Sequence, residues 1–208
     1  RSTHPVPRFT HMSVMAEGSA IPEAWRGRFA AIDPLHHCVT AATRIMEGST
    51  FCTTDTTPFL TSTDQTFRPV YIANAPDGSL VIADFREEYI AHGQNYQSQI
   101  DPFTGRIYRL RGKDLPLEKA LDLSGMDSPV LAALLSHANL WHRQTAARLL
   151  GERPDAAPLL MPLLTQPSLH PALEALWALH QSGSLEEGTA LRTLHHPEAM
   201  VRAWTIRL

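Results

Sequence analysis

Cysteine is scarce in this sequence, which has only Cys38 and Cys52 among 208 residues. Two thiols do not make a disulfide framework. If the segments around them form a hairpin that turns at Glu47-Gly48, Cys38 pairs near Thr57 and Cys52 near Thr43. The thiols are then several residues out of register and too far apart to bond. We therefore predict two free thiols, and the absence of a C-x-x-C-H motif excludes a covalent haem site in this stretch.

Long apolar runs and blocks of like charge are also missing. No run reaches the ~20 apolar residues that a membrane-spanning helix needs, so we predict no transmembrane segment. Residues 1–115 carry 11 basic and 12 acidic side chains, and residues 116–208 carry 7 and 9. Nucleic-acid binding needs a basic surface, so no nucleic-acid partner is predicted. The densest basic group is assigned to a solvated strand edge, because lysine and arginine protect exposed edges from pairing. Its members are Arg106, Arg109, Arg111 and Lys113.

The first half of the chain has the character of short β-strands separated by turns. Pro76-Asp77-Gly78 is a turn in which proline presets one dihedral angle and glycine supplies positive φ. Asp101 to Gly105 predicts another turn. Several short strands with regular turns indicate a sandwich, barrel or propeller. The predicted strands cover residues 10–16, 29–33, 39–46, 49–54, 69–75, 79–84 and 106–111.

The second half changes to the 3.6-residue period of amphipathic helices. Ser128 is predicted to cap a helix whose first residue is Pro129. Ser184 to Glu187 fits a capping box, and Gly151 and Gly183 stand where helices are expected to end. The apolar stripes are Val130, Leu131, Leu134 and Leu135, then Leu173, Leu176, Trp177 and His180, then Val201, Trp204 and Leu208.

The helical half also repeats. Leu135-Ser-His137 and Trp141-His-Arg143 return as Leu194-His-His196 and Met200-Val-Arg202, 59 residues later. A further helix lies about midway, so the offset predicts units of ~30 residues, as in helical solenoids. Because one such unit cannot bury its apolar face alone, the units are expected to stack. Trp141, Trp177 and Trp204 are assigned to the core of that stack.

Together these patterns predict a multidomain chain, β then α. Residues 1–115 are expected to be the C-terminal blades of a partial β-propeller, and residues 116–208 an α-solenoid of the HEAT type. Because the sequence starts at Arg1 and ends at Leu208 within a helical pattern, we expect a fragment that is truncated at both ends.

A set of segments in the first half resembles a known family. The segments follow the order and spacing of the last propeller blades in large bacterial proteins of the "membrane-bound dehydrogenase domain" family, which are similar to glucose/sorbosone dehydrogenases and carry HEAT-like repeats after the propeller. They are Phe67 to Val70, Ala75 to Leu80, Ile82 to Asp84, Tyr89 to Asn95 and Gly105 to Arg109.

The resemblance implies a fragment of an exported, periplasmic or cell-surface quinoprotein-like dehydrogenase that oxidises a sugar or alcohol. Its cofactor would be pyrroloquinoline quinone with calcium, and its electron acceptor a c-type cytochrome. The helical repeats would be a scaffold, and this chain alone is expected to be inactive because the catalytic residues lie elsewhere and are unknown. Two other hypotheses stay open: a non-enzymatic propeller/HEAT module that binds protein or carbohydrate, and a lyase-like helical repeat protein.

Arg68 and His92 are the candidate cofactor-binding residues. Arg68 precedes Pro69 at a strand entry, where its guanidinium could clamp a carboxylate of the quinone with two parallel hydrogen bonds. Alternatively, Arg68 bonds loop carbonyls and ties one blade to the next. His92 lies in a polar loop beside Gly93, where it is either a base or ligand or a loop residue bonded to its own blade.

Three further clusters have a structural and a functional interpretation. Asp84 and Arg86 flank Phe85 at a strand end and are expected to point to the same face, either as an ion pair near the central channel or as a structural pair that closes the blade. His36-His37-Cys38 invites a metal hypothesis, but adjacent strand residues point to opposite faces and zinc needs three or four convergent ligands, so no metal site is predicted. His137 and His195-His196 are assigned to the turns that precede helices.

Overall fold

The computed structural model describes residues 11–47, 50–88, 103–119 and 121–208. The chain divides into two compact units, a β unit of residues 1–118 and a helical unit of residues 119–208. Within the described ranges, no helix has the length and apolar character needed to cross a membrane.

The β unit contains two open antiparallel sheets. The first has four strands in the order β1-β2-β3-β4, and the second has three in the order β5-β6-β7. These sheets do not form a closed propeller in the described ranges. The strands are β1 (Ser13–Met15), β2 (Phe29–Asp33), β3 (Cys38–Glu47), β4 (Thr50–Thr61), β5 (Pro69–Asn74), β6 (Leu80–Asp84) and β7 (Arg106–Leu110), and a 3₁₀ helix covers Glu23–Trp25.

The predicted strands correspond closely to those observed, but the register of the β3–β4 hairpin is different. Cys38 lies opposite Thr61 rather than Thr57, and Cys52 lies opposite Ile45. The difference at Cys52 starts at the turn, because Glu47 pairs with Thr50, and the register shifts again at a bulge between Val39 and Ala41, where one strand has extra residues. Both thiols are free, as predicted.

β4 extends further than predicted, through Pro58 to Thr61. Proline lacks the N–H that an inner strand must donate, so it is tolerated on an edge strand. β4 is such an edge. β7 is the edge of the second sheet, and Arg106 and Arg109 on it are exposed, as the basic pattern predicts.

One apolar core serves both sheets. Ile32 and Val39 from the first sheet and Ile72, Leu80 and Ile82 from the second are all fully buried in it. These positions alternate along their strands with less buried ones, since successive side chains point to opposite faces.

The turn at Gly78 makes a close backbone contact with the segment that follows β1. Gly78 has a φ of 84°, and a Cβ there would lie 2.2 Å from Ser19 Oγ. A Cβ on Gly18 would lie 1.9 Å from the Gly78 carbonyl oxygen, and the Ala20 N–H donates to that oxygen at 3.0 Å. The Pro76-Asp77-Gly78 turn is therefore confirmed, and its glycine also permits a close backbone approach.

The helical unit consists of three successive helix pairs, in agreement with the predicted repeat. The middle pair begins with a short α-helix that continues as a 3₁₀ helix (Met161–Thr165). In chain order the pairs are α1 (Ser128–Leu134) with α2 (Leu140–Gly151), α3 (Ala157–Leu160) with α4 (Leu169–Gln181), and α5 (Glu187–Thr193) with α6 (Ala199–Arg207).

The core of the helical unit is made of leucine, alanine and Val201. Leu131, Leu135, Leu150, Leu176 and Leu179 are fully buried. Trp141, Trp177 and Trp204 are partly buried and pack against this core, as predicted. The rings of Trp177 and Trp204 meet edge to face at 5.1 Å. Three stripe positions are exceptions, because Val130 is 50% exposed, Leu208 is 37% exposed and His180 is exposed as well.

The helix ends correct two predictions. The residue that precedes α1 is Asp127, not Ser128, and its side chain makes no cap bond. The capping box at Ser184 is also wrong: α5 begins at Glu187 with no side-chain cap bond, and the Ser184 hydroxyl accepts from Ser182 instead. Both predictions fitted a sequence pattern, but neither helix has a side-chain cap bond.

Gly151 and Gly183 both lie at helix ends, as predicted, but of the two only Gly183 has positive φ. Gly183 has a φ of 69° after α4. Its N–H donates to His180 O at 3.0 Å, and the Ser184 N–H donates to Leu179 O at 2.9 Å. This pair of bonds is the Schellman motif. Gly151 is still helical as the last residue of α2.

Candidate functional site

Arg68 lies at the centre of a polar cluster in the β unit. It stands directly before β5 and is only 9% exposed. Its Nε donates to Glu87 O at 3.0 Å, and its Nη2 donates to Glu88 O at 2.9 Å. Its Nη1 donates to Pro34 O at 2.8 Å. One guanidinium therefore joins the ends of β2 and β6, two segments that are distant in sequence.

His37 completes the ring of partners around Arg68. Its Nδ1 lies 2.9 Å from Arg68 Nη1 and 3.0 Å from the Phe67 carbonyl oxygen. Nε2 lies 3.3 Å from the same Nη1. If Nδ1–H donates to Phe67 O, Nε2 is the acceptor for the guanidinium. His37 has a φ of 53°, a left-handed conformation that is uncommon for a residue with a side chain.

Asp84 holds the backbone on both sides of this cluster. Its Oδ1 accepts from the N–H of Arg68 at 2.8 Å and from the N–H of Arg86 at 2.9 Å. The predicted side-chain pair of Asp84 with Arg86 is wrong, because the Arg86 guanidinium binds Asp64 at 3.1 Å. Arg86 has a φ of 52°, which ends the strand alternation on which that prediction relied.

Burial and neighbouring charges act on Arg68 in opposite directions. Desolvation lowers the pKa of Arg68, while the charges of Glu87 and Asp84 act to raise it. Because a guanidinium stays protonated over the ordinary pH range, Arg68 remains a cation in the buried cluster.

The donors of Arg68 do not suit the predicted quinone clamp. A bidentate clamp needs two parallel free N–H groups. Nε and both hydrogens of Nη1 already face acceptors, and Nη2 uses one of its two. This matches the interpretation in which Arg68 bonds loop carbonyls. His92, the other predicted cofactor-binding residue, lies outside the described residues.

The His36-His37-Cys38 triplet is not a strand, because β3 begins only at Cys38. His36 Nδ1 lies 2.8 Å from Oδ2 of the buried Asp33, and His37 faces Arg68. The two imidazoles therefore serve separate structural contacts, one on each side of the turn.

In the helical unit, the sequence repeat is reproduced as a repeated hydrogen-bond pattern. Arg143 Nη1 donates to His137 O at 2.8 Å and to Ala138 O at 3.1 Å. Arg202 Nη1 donates to His196 O and to Pro197 O, both at 2.7 Å. Each arginine thus fixes the turn that leads into its own helix.

The histidines of the two turns also have equivalent bonds. His137 Nδ1 accepts from the Asn139 N–H and His196 Nδ1 accepts from the Glu198 N–H, each at 3.0 Å. They cap the backbone at the entries of α2 and α6. The prediction that these histidines precede helices is confirmed.

Arg143 has a further partner that sequence reasoning missed. Its Nε lies 3.7 Å from Glu174 Oε1 on α4, and the two side chains are 3% and 5% exposed. A buried carboxylate inside an otherwise apolar helix was the available signal, since such charges are almost always paired. The ion pair links the first repeat to the second.

A cavity of about 340 Å³ lies within the helical unit, between the 3₁₀ helix Met161–Thr165 and the turn that joins α5 to α6. Its lining combines apolar, hydroxyl and basic side chains and includes no acidic one. Arg192 and His195 are exposed on it, while Thr189, Thr193 and His196 are buried. The lining residues are Met161, Leu164, Thr165, Thr189, Arg192, Thr193, His195, His196 and Pro197.

The buried polar groups of this cavity are engaged within the unit. Arg192 Nη2 donates to Thr189 Oγ1 at 2.9 Å, and the Thr193 hydroxyl donates to Thr189 O at 2.8 Å. His196 Nε2 lies 3.0 Å from Gln166 O. Arg192 and His195 therefore supply the groups that a ligand can reach from solvent.

Comparison with protein-family models gives two matches. Residues 4–114 match the domain of unknown function DUF7133, which is more than half of the chain. The chain belongs to the DUF7133 family. Residues 128–208 of this DUF7133 protein match HEAT repeats, which agrees with its three helix pairs. Searches of curated proteins and of solved structures each found no match.

Proposed function

We propose that this DUF7133 protein is a binding module and that its helical unit takes up an acidic segment of a partner protein. The observation that carries the proposal is the lining of the 340 Å³ cavity, which has basic groups at its surface, threonines within and no carboxylate. Complementary charge steers association and selects partners. An extended acidic segment with apolar side chains matches that lining.

Three arginines outside the cavity have hydrogen-bonded side chains, and these support a scaffold role for the rest of the chain. Arg68, Arg143 and Arg202 all direct their guanidinium groups at backbone carbonyls. These side chains build the fold, whereas Arg192 donates to Thr189 within its own helix and is exposed. The cavity therefore presents an exposed guanidinium to a ligand.

The proposal is tested by titrating a fluorescent peptide of alternating glutamate and leucine into the protein. We expect binding that weakens with salt, since exposed charges are screened. Arg192→Glu should abolish most of it, and Arg148→Glu, an exposed cation on α2, should change it little. Equal affinity for a peptide with glutamine in place of glutamate would overturn the proposal.

A second candidate is the quinoprotein-like dehydrogenase that the sequence resemblance implies. Three of the segments that carry the resemblance are parts of β5, β6 and β7. These strands form one antiparallel sheet, as the strands of one propeller blade would. In that hypothesis the chain belongs to an exported protein that oxidises a sugar or alcohol and passes electrons to a c-type cytochrome. The helical unit would then be its scaffold.

Calorimetric titration of pyrroloquinoline quinone into the complete protein, with and without calcium, tests this candidate. Calcium-dependent binding that His92→Ala weakens would support it, with His36→Ala as the control. Arg68→Lys separates the two roles of that arginine, because a structural role predicts lost stability with unchanged affinity. A folded protein that does not bind the quinone would leave the binding module as the better proposal.

A further inference from the structure

A smaller cavity, of about 150 Å³, lies in the β unit. Its lining is apolar apart from one arginine and comes from segments that are distant in sequence. Ile21 and Phe59 form buried parts of its wall, with 1% and 7% of their surface exposed. Arg111 is exposed at its rim. The lining residues are Ile21, Pro22, Trp25, Phe59, Leu110 and Arg111.

Hydrogen bonds outside the strand ladders hold the walls of this cavity together. Arg26 Nε donates to Ile21 O at 2.8 Å, which fixes the backbone of one wall. The Gly112 N–H donates to Ala20 O at 2.8 Å and joins the end of β7 to the same segment. A Cβ on Gly112 would lie 3.2 Å from Pro22 Cγ, so glycine permits this close approach. The cavity is therefore formed by the fold of the β unit itself, as ligand pockets usually are.

The size and lining of the cavity match a single aromatic ring. A cavity of roughly 150 Å³ lined by leucine, isoleucine and phenylalanine holds one benzene ring. Here Trp25 and Phe59 meet edge to face, with ring centroids 4.5 Å apart and an interplanar angle of 75°. Aromatic rings prefer this arrangement and gain from further contacts of the same kind. A ligand ring can therefore join the pair that already lines the cavity.

The charge at the rim selects the other end of the ligand. Arg111 Nη1 donates to Leu115 O at 2.8 Å, a bond that positions the guanidinium and leaves Nε and Nη2 outside it. Among the described residues that line the cavity, none is acidic. Because a guanidinium binds a carboxylate through charge-assisted hydrogen bonds, the rim favours a ligand with a carboxylate beside its apolar part.

We propose that this cavity binds a small aromatic acid, with the ring against Trp25 and Phe59 and the carboxylate at Arg111. The volume holds little more than one ring and its acid group, so the ligand class is a free monocyclic carboxylate. Apolar walls with one polar group that fixes orientation are typical of small-molecule sites. The site shares no residue with the cavity of the helical unit and does not depend on the proposed function.

The test titrates phenylacetate into the full chain and follows the tryptophan indole N–H signals by NMR. The chain has four tryptophans, and the signal that Trp25→Phe removes is that of Trp25. We expect phenylacetate to shift this signal, with a dissociation constant of about 1 mM or tighter, as for other ligands of this size.

Two matched comparisons accompany this titration. Arg111→Gln should weaken binding of phenylacetate about tenfold, as loss of a charged hydrogen bond implies, and leave its uncharged amide, phenylacetamide, within about twofold. Binding of the amide also reports whether the cavity survives the substitution. Lys113→Gln removes an exposed cation outside the lining and should change the affinity for phenylacetate less than about twofold.

Four results would overturn the proposal. The first three are an unchanged Trp25 signal in the folded chain, equal affinities for phenylacetate and phenylacetamide, and equal losses with Arg111→Gln and Lys113→Gln. The fourth is tighter binding of the tripeptide Ala-Ala-Phe than of phenylacetate, which would assign the cavity to the C-terminus of a peptide. Failure of the acidic peptide at the helical cavity does not affect any of these outcomes.

Discussion

The β unit and the helical unit both use arginine to satisfy backbone carbonyls, but over different sequence distances. Arg68 joins carbonyls at residues 34, 87 and 88, up to 34 residues away. Arg143 and Arg202 reach carbonyls five or six residues earlier. Non-local hydrogen bonds, which form together, therefore hold the β unit. The helical unit instead repeats a local hydrogen bond and adds contacts between neighbouring repeats.

This difference predicts different cooperativity. Loss of a non-local bond should release several strands together, while loss of a local one should loosen one repeat, as expected for quasi-one-dimensional arrays. Hydrogen exchange resolved by peptide is the suitable measurement, because a single unfolding free energy is not well defined for two units.

The largest expected effect is that of Arg68→Met on the β unit. The substitution leaves several buried carbonyls without a donor and removes the cation beside Asp84, which should cost roughly 3–5 kcal/mol. Exchange protection should fall across β2, β5 and β6 together. Arg44→Ala, at an exposed position of β3, is the control and should have little effect. Loosening confined to the 34–37 turn would contradict the cooperative interpretation.

Arg143→Met should be more damaging than Arg202→Met, although both remove the same pair of turn bonds. Only Arg143 also faces a buried carboxylate, Glu174, so we expect about 3 kcal/mol for the first and about 1 kcal/mol for the second. The double variant Arg143→Met/Glu174→Leu should recover most of the difference. Equal costs, measured by exchange in α2 and α6, would show that the inter-repeat pair contributes nothing.

Gly78→Ala and Gly183→Ala compare one glycine from each unit at similar positive φ. Gly183 has nothing within 4 Å of an added Cβ, so only backbone strain of about 1 kcal/mol is expected. Gly78 faces Ser19 at 2.2 Å, so steric displacement should raise the cost to roughly 2–3 kcal/mol. Hydrogen exchange resolved by peptide would measure each cost within its own unit, and a larger effect at Gly183 would refute the close approach.

The smallest effect concerns acid stability. Burial acts to raise the pKa of Asp77, but hydrogen bonds from Ser79 and the charge of Arg109 outweigh it and lower that pKa. A depressed carboxyl pKa stabilises the fold above the unfolded pKa of about 4, and this stabilisation is lost as the pH falls through the lower folded value.

Asp77→Asn should therefore reduce stability at pH 7 and flatten its decline between pH 5 and pH 2. Asp122 makes the same bonds to Ser124, at 2.6 Å to the hydroxyl, but it is exposed. Asp122→Asn should change the pH profile less. If both substitutions had the same effect, the Arg109 contact at 3.0 Å would not contribute.

Local patterns predicted much of each unit. The strand Phe29–Asp33 was predicted with its observed bounds because alternation and flanking turns suffice for a short buried strand. The offset between Arg143 and Arg202 was visible in the sequence because each repeat solves the same packing problem. By contrast, the caps at Ser128 and Ser184 fitted a pattern and failed, since capping depends on the backbone angles of the turn before the helix.

The sequence by itself determined the order of a β region and a helical repeat, the free thiols, the turn at Gly78 and the placement of histidine and arginine at helix entries. All of these follow from short-range periodicity and turn chemistry. Tertiary structure alone decided the partners of Arg68, the register of the β3–β4 hairpin and the Arg143–Glu174 pair. The physical reason is that these depend on which distant segments pack together.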